Sequence, residues 1–367
     1  MYKISWITPT YFIDTDLPVV SKLQHIFKIK FIVVIPWYEK NDYESFVRSK
    51  IDESVTDLLF IKQKFPYSFL NYFTTKKIMK ELTNFNADVY YLSYQMLDEY
   101  KKCLDLTKCI IPCHNVTTPK GARNEVKAAE YTDTLLRTFN NIQVFSEFQE
   151  KVLKSRYQGK NVLMAPFLLK DYGEPTIQVD RLTEEPIQFL NFGNIVRYKR
   201  LDLLIEAVNI LVERGFTNFK VKIAGHCKNW QDYEALIKYP DFFDLEIKRI
   251  PNEDIPNLFA RSQYFVLPYQ DIAQSGSMAV AFRYGLPAIV SDIEPFKEFV
   301  KDKYNGYSFK SQNAESLADV MEFIIKNHKS IYPSLAINVK EYVKEKYSDA
   351  AIVKAYTQYI SSICTKK

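Results

Sequence analysis

Two short polar turns, each opened or closed by a glycine and each leading into a helical stretch, carry the side chains best suited to chemistry. Gly193-Asn194 runs into Arg197, Lys199 and Arg200, and Gln274-Ser275-Gly276-Ser277 runs into the apolar stretch Met278-Ala279-Val280-Ala281-Phe282. The first backbone N–H groups of a helix have no internal partner and the macrodipole is positive there, so each turn favours an anion such as a phosphate. Together they could form a diphosphate site, with basic side chains neutralising charge and amides fixing the oxygens. Plainer readings stand beside this one. The basic trio suits a solvated helix start, and the second turn suits an α/β core unit with a serine N-cap. Glycine is scarce, nine in 367 residues, so its placement at these turns carries weight.

A third candidate is His114 in Cys113-His114-Asn115, just past an apolar strand at 108–112. In α/β domains ligands bind beyond the carboxyl ends of strands. A structural loop histidine is the alternative.

The elements that must position these residues alternate in type. Apolar runs at 3–8, 30–35, 88–92, 108–112, 143–145 and 162–165 read as buried parallel strands, separated by helical stretches at 18–27, 97–102, 125–138 and 147–157. Strands at 186–192, 221–224, 245–250, 265–268 and 288–291 then alternate with helices at 203–213, 233–237, 277–284, 297–300 and 314–326. Gly285 stands where a left-handed helix cap is wanted and Pro287 follows it. Two final helices are expected at 337–346 and 349–363. The fold class is α/β, with two doubly wound Rossmann-like domains. The expected boundaries are a first domain over 1–170, a linker over 171–186, a second domain over 187–345, and a tail over 346–367 that returns to the first domain. The first β-turn-α carries no glycine, which removes the GxGxxG fingerprint of nicotinamide and flavin enzymes.

Composition narrows the class further. A net charge of +5 is too small and too dispersed to argue for nucleic acid. The five cysteines are odd in number and include no CxxC pair, so neither a disulfide framework nor a zinc site is indicated. Residues 1–12 lack a signal-peptide core, and no run of about 18 apolar residues occurs. The expectation is a cytoplasmic protein, with peripheral contact at the inner face of a membrane. That contact is read from 67–85, where Phe69, Tyr72, Phe73, Ile78, Leu82 and Phe85 interleave with Lys76, Lys77 and Lys80. A core-packing helix with a solvated lysine face fits the same pattern, and the sidedness of the helix separates the two.

GNIVRYKRLDLLIEA from Gly193 and PYQDIAQSGSMAVAFRYGLPAIVS from Pro268 resemble the donor-binding half of glycosyltransferase family 4, which has the GT-B fold. The resemblance is good over 189–326 and looser in the first domain, where the Cys113-His114-Asn115 turn carries it. It implies two domains facing across a cleft, a nucleotide-diphosphate sugar as donor, retention of anomeric configuration, and no metal or cofactor. On that resemblance Lys199 matches a phosphate-binding lysine and His114 a histidine facing the donor sugar. Asn194 stands where many members have arginine, so Arg197 or Arg200 would supply that charge. Pro251 and Asn252 would border the base, and Gln274, Ser275, Gly276 and Ser277 would lie under the sugar and diphosphate. The family's two glutamates, separated by seven residues, are replaced here by Ile272 and Val280. A variant loop, QSG, stands in for the first, with Gln274 or Asp271 as substitutes. The implied function is transfer of a hexose from a UDP- or GDP-type donor to a saccharide or lipid-linked saccharide in bacterial surface polysaccharide assembly. A catalytically silent nucleotide-sugar-binding subunit and a sugar-nucleotide epimerase are the alternatives.

Overall fold

Strands that are buried on both faces read as unbroken apolar runs, and the first sheet is built from such runs. In the computed structural model, which describes residues 1–40, 42–63, 70–118, 124–272 and 275–365, the chain divides into two units. The first comprises Met1–Thr117, Val126–Leu168 and the chain's end from Asp349, and the second is formed chiefly by Leu169–Ser348.

In the first unit β1 (Lys3–Pro9), β2 (Lys28–Ile35), β3 (Thr56–Lys62), β4 (Val89–Leu92), β5 (Cys109–Pro112), β6 (Asn141–Val144) and β7 (Asn161–Met164) form one parallel sheet. Their order is β3-β2-β1-β4-β5-β6-β7, which reverses direction between β1 and β4. The helices are α1 (Ile13–Leu23), α2 (Tyr43–Arg48), α3 (Leu70–Phe85), α4 (Leu97–Cys103), α5 (Glu125–Thr138) and α6 (Glu147–Arg156). Lys30 interrupts the apolar run of β2, and the fold resolves its charge by pairing it with Asp57 on β3 at 3.0 Å and Glu81 on α3 at 2.7 Å. A buried lysine without such partners would be shifted toward its neutral form.

The second unit has a six-stranded parallel sheet, β8 (Ile187–Phe192), β9 (Phe219–Ala224), β10 (Phe243–Glu246), β11 (Tyr264–Leu267), β12 (Ala288–Ser291) and β13 (Gly306–Phe309), in the order β10-β9-β8-β11-β12-β13. Its helices are α7 (Leu201–Glu213), α8 (Gln231–Glu234), α9 (Ile255–Ala260), α10 (Gly276–Arg283) and α11 (Ala314–Lys346). The final helix α12 (Asp349–Thr365) belongs to the first unit, where Ile352, Tyr356, Ile360 and Ile363 join the core beside β1 and β2.

Several elements differ from the reading of the sequence. Residues 171–186, expected as a linker, lie within the second unit's range, where the Arg181 guanidinium donates to the carbonyls of Phe259, Ala260 and Tyr284 at 2.9 to 3.2 Å. The helices expected at 314–326 and 337–346 are one helix. Pro333 lies inside it, at an exposed position where the carbonyl it leaves without a donor can be hydrated. The strand expected at 245–250 is Phe243–Glu246, and α2 and β3 fall in a stretch where the sequence pattern marks no element. The five cysteines are free.

Candidate functional site

β8 delivers the chain into a turn that only glycine can make. Gly193 has φ +114° and donates its N–H to the Ala224 carbonyl at 2.9 Å, at the end of β9. Gly225 has φ +154°, and a Cβ there would sit 2.0 Å from the Gly193 carbonyl oxygen. Two bare backbones therefore pass at the carboxyl ends of adjacent strands, the region where parallel sheets bind ligands.

The three basic side chains after this turn have different fates. Arg200 itself adopts φ +49° between a 3-10 turn (Arg197–Lys199) and α7, and its guanidinium grips Asp202 through Nε at 3.0 Å and Nη2 at 2.8 Å. Its charge is already matched, and the Asp202 hydrogen bonds raise its pKa. Arg197 and Asn194 are exposed. Lys199 is half-buried, with Nζ 5.3 Å from the centroid of the Tyr269 ring and 3.4 Å from where a Gly193 Cβ would be. No carboxylate lies within ion-pair distance of Lys199 among the described residues. Burial holds its pKa below the ordinary lysine value. Of the trio, Lys199 is the partly desolvated cation that has no anion beside it among the described residues.

The second turn meets the first through Tyr269. The Gln270 N–H donates to the Tyr198 carbonyl at 3.0 Å, Tyr198 packs edge-on against Tyr269, and the Tyr269 hydroxyl lies 3.4 Å from Ser277 Oγ. Ser275 caps α10 by accepting the Met278 N–H at 3.1 Å, and its Oγ lies 3.1 Å from that of Ser277. A Cβ on Gly276 would stand 3.8 Å from Lys170 Cε and Nζ, so a lysine side chain passes the positive end of the helix. Gly193, Lys199, Tyr269, Ser275, Gly276 and Ser277 are thus linked in one neighbourhood. Gln274 lies outside the described residues. Asp271 is half-buried. Pro251 and Asn252 open a separate 3-10 turn (Asn252–Asp254) ahead of α9, with Asn252 exposed. Ile272 and Val280 are 4% and 2% exposed and belong to the apolar cluster around Met278 and Phe282, so both are packing residues.

Tyr269 and Lys170 were not singled out in the sequence. Tyr269 sits beside Pro268 at a strand end, which was a usable signal. Lys170 stands at the expected end of the first domain, and only its tertiary contact with Gly276 reveals its position.

In the first unit His114 is half-buried in an aromatic stack, 4.1 Å from Phe12 at an interplanar angle of 9° and 4.8 Å from Phe145 at 22°. A separate pocket of about 330 Å3 opens at the carboxyl ends of β2 and β3, lined by residues including Trp37, Glu39, Lys40, Asp42 and Gln63. Trp37 is 47% exposed at its rim. Among the described residues no group of three or more His, Cys, Asp or Glu side chains is arranged to hold a metal ion, and no helix is long and apolar enough to cross a membrane.

The sequence model for glycosyl transferases group 1 matches residues 174–346. No curated protein sequence matches the chain. Among solved structures, a glycosyltransferase from Rickettsia africae ESF-5 is similar over 100% of this chain and 99% of that one, at 14% identity and a TM-score of 0.72. Anabaena HepE, solved with UDP and glucose, covers 99% of this chain and is covered over 100% of its own, at 12% identity and a TM-score of 0.73. The sucrose-phosphate synthase of Thermosynechococcus elongatus matches over 100% of both chains, at 14% identity and a TM-score of 0.72. The chain therefore has the GT-B fold, and residues 174–346 of it are similar to the glycosyl transferases group 1 family.

Proposed function

We propose that this protein is a retaining, metal-independent hexosyltransferase that takes a sugar from a UDP- or GDP-type nucleotide-diphosphate sugar and gives it to a saccharide or lipid-linked saccharide in bacterial surface polysaccharide biosynthesis. The observation that carries the proposal is Lys199, a half-buried ammonium with no carboxylate partner among the described residues, set between a glycine turn and the Tyr269 ring. A desolvated cation interacts strongly with an arriving anion, because little water remains to compete.

In the reaction the acceptor hydroxyl forms a bond to the anomeric carbon. The bond from that carbon to the diphosphate breaks with its electron pair, and the acceptor proton passes to a phosphate oxygen. Lys199 and the N–H groups that begin α10 stabilise the charge that develops on the diphosphate, at no cost of reorganisation if they are already in place. His114 and Gln274 orient the sugar, and the base lies against Pro251 and Asn252. The pocket at Trp37 suits the acceptor, since an exposed indole offers an apolar face to a sugar ring and Glu39, Asp42 and Gln63 offer hydrogen bonds around it.

The test is a thermal-shift titration with UDP, GDP and their sugars, since a ligand that binds only the folded state raises the midpoint with concentration. The wild type should respond to one nucleotide diphosphate and Lys199→Met should respond far less. Equal responses would remove the proposal. A second reading, a silent nucleotide-sugar-binding subunit, is favoured by the burial of Ile272 and Val280 where the family has glutamates. Turnover of any nucleotide sugar by the purified protein would eliminate it.

A further inference from the structure

The helix α3 has an outer face that its own domain does not use. Ile78, Met79 and Leu82 are between 0% and 8% exposed and pack in the core under β1, β2 and β4, and Phe85 packs against that core. The only acidic residue of the helix, Glu81, is held by Lys30 at 2.7 Å. The apolar side and the acid are therefore committed inward.

Tyr72 and Phe73 are each 59% exposed, with their rings edge-on at 5.7 Å. Lys76, Lys77 and Lys80 are exposed beside them, with Lys76 Nζ 4.8 Å from the Tyr72 ring centroid. At 100° per residue these five positions span an arc of about 140°, so they form a single face. None of the three lysines is ion-paired among the described residues. Residues 67–69 of the stretch singled out in the sequence lie outside the described residues.

We infer that this face docks the protein onto an anionic lipid bilayer, the two rings entering the headgroup boundary while the three ammonium groups meet lipid phosphates. The occupant follows from the chemistry of the patch. Protein interfaces enrich aromatic residues but deplete lysine, whereas interfacial membrane helices combine the two, aromatic rings below and lysines at headgroup level. A face with three positive charges and no negative one complements a surface of uniformly negative charge rather than the mixed charges of an ordinary protein partner. Two rings and three lysines make a reversible contact, weaker than any spanning segment. The inference is independent of nucleotide binding and of turnover.

The experiment is sedimentation of the full chain with vesicles of phosphatidylcholine alone and of phosphatidylcholine mixed equally with phosphatidylglycerol. Binding to the mixed vesicles is expected to exceed binding to neutral ones, and to weaken as salt rises. Lys76→Gln, Lys77→Gln and Lys80→Gln combined should reduce binding to mixed vesicles by about a hundredfold, and Tyr72→Ser with Phe73→Ser by about tenfold. All five positions are exposed, so thermal midpoints near wild type are expected and serve as the fold control. Equal binding to both vesicle types, or unchanged binding of both variants, overturns the inference. Loss of binding to a single-stranded oligonucleotide in the lysine variant, without any vesicle binding by the wild type, overturns it in favour of a nucleic-acid partner.

Discussion

Each unit buries a charge that has no partner of opposite sign among the described residues, and the two are treated differently. In the second unit Lys199 is half-buried at the mouth of a glycine turn. In the first, Asp16 on α1 is 2% exposed among Trp6, Thr8 and Ser93. These groups surround the carboxyl, yet Asp16 Oδ2, Trp6 Nε1 and Ser93 Oγ lack a hydrogen-bond partner among the described residues. Burial pushes the Asp16 pKa up to about 6. An unpaired charge still reachable from outside is a means of binding. One sealed in the core is stored as a neutral acid and costs stability whenever it ionises.

The largest expected effect comes from closing the glycine turn. Gly225→Ala places a methyl 2.0 Å from the Gly193 carbonyl oxygen, at a φ that side chains rarely adopt. The second unit should lose about 3 kcal/mol or more, and nucleotide binding should go with it. Chemical denaturation and thermal shift read both effects. A stable, ligand-binding variant would mean that the turn does not hold Lys199 in place.

Next is the cation itself. Lys199→Met should weaken nucleotide-diphosphate binding by about ten- to a hundredfold, the scale of one charge-assisted hydrogen bond, with the fold intact. Because burial lowers the Lys199 pKa, binding by the wild type should weaken on the alkaline side, beginning at lower pH than an ordinary lysine would allow. The variant should lack that limb of the pH profile. Calorimetric titration across pH compares them.

The sealed acid gives the opposite sign. The folded pKa of Asp16 is above its unfolded value of 3.8, so the folded state loses stability as pH rises from below 3.8 through about 6, and the cost is fully present above that. Asp16→Asn should therefore stabilise the protein at pH 8 by about 2 to 3 kcal/mol, and much less at pH 4. A gain that did not depend on pH would show that ionisation is not what Asp16 costs.

These contrasts were only partly legible in the sequence. The alternation of buried strands with helices, the αL cap at Gly285 (φ +69°) and the serine cap at Ser275 follow from local rules and recur in the structure. The pairing of the two glycine turns was legible as a suggestion, since both are polar, glycine-bearing and followed by helices. What separated Lys199 from Arg200 was not legible. Both are basic and adjacent, and only the left-handed backbone at Arg200 turns one onto Asp202 while the other faces Tyr269. Asp16 reads as an ordinary first-turn acid, because its burial comes from Trp6, Thr8 and Ser93 around the sheet and from Tyr356 on α12, which only the tertiary fold brings together. The sidedness of α3 was likewise ambiguous, since a helix with aromatic residues on two faces has no single apolar stripe until its neighbours are placed.

A third buried titratable group sharpens the comparison because it is satisfied. His328 on α11 is 4% exposed, with Nδ1 3.0 Å from the Tyr264 hydroxyl and Nε2 2.9 Å from the Arg181 carbonyl. The carbonyl can only accept, so Nε2 carries a proton, and burial favours the neutral ring, in which Nδ1 accepts from the Tyr264 hydroxyl. Burial lowers its pKa accordingly. The unfolded chain then takes up a proton more readily than the folded one, so the contribution of His328 is complete above the unfolded value near 6.5 and is lost as pH falls below it. His328→Leu leaves the tyrosine hydroxyl and the carbonyl unpaired and should cost about 1 to 2 kcal/mol at pH 8. The gap between variant and wild type should narrow toward pH 5, because leucine does not titrate while the wild type weakens. Denaturation midpoints of both proteins over that range test it. A gap constant with pH would mean that His328 stabilises by packing alone, and that the contrast among the three buried groups lies in shape rather than in protonation.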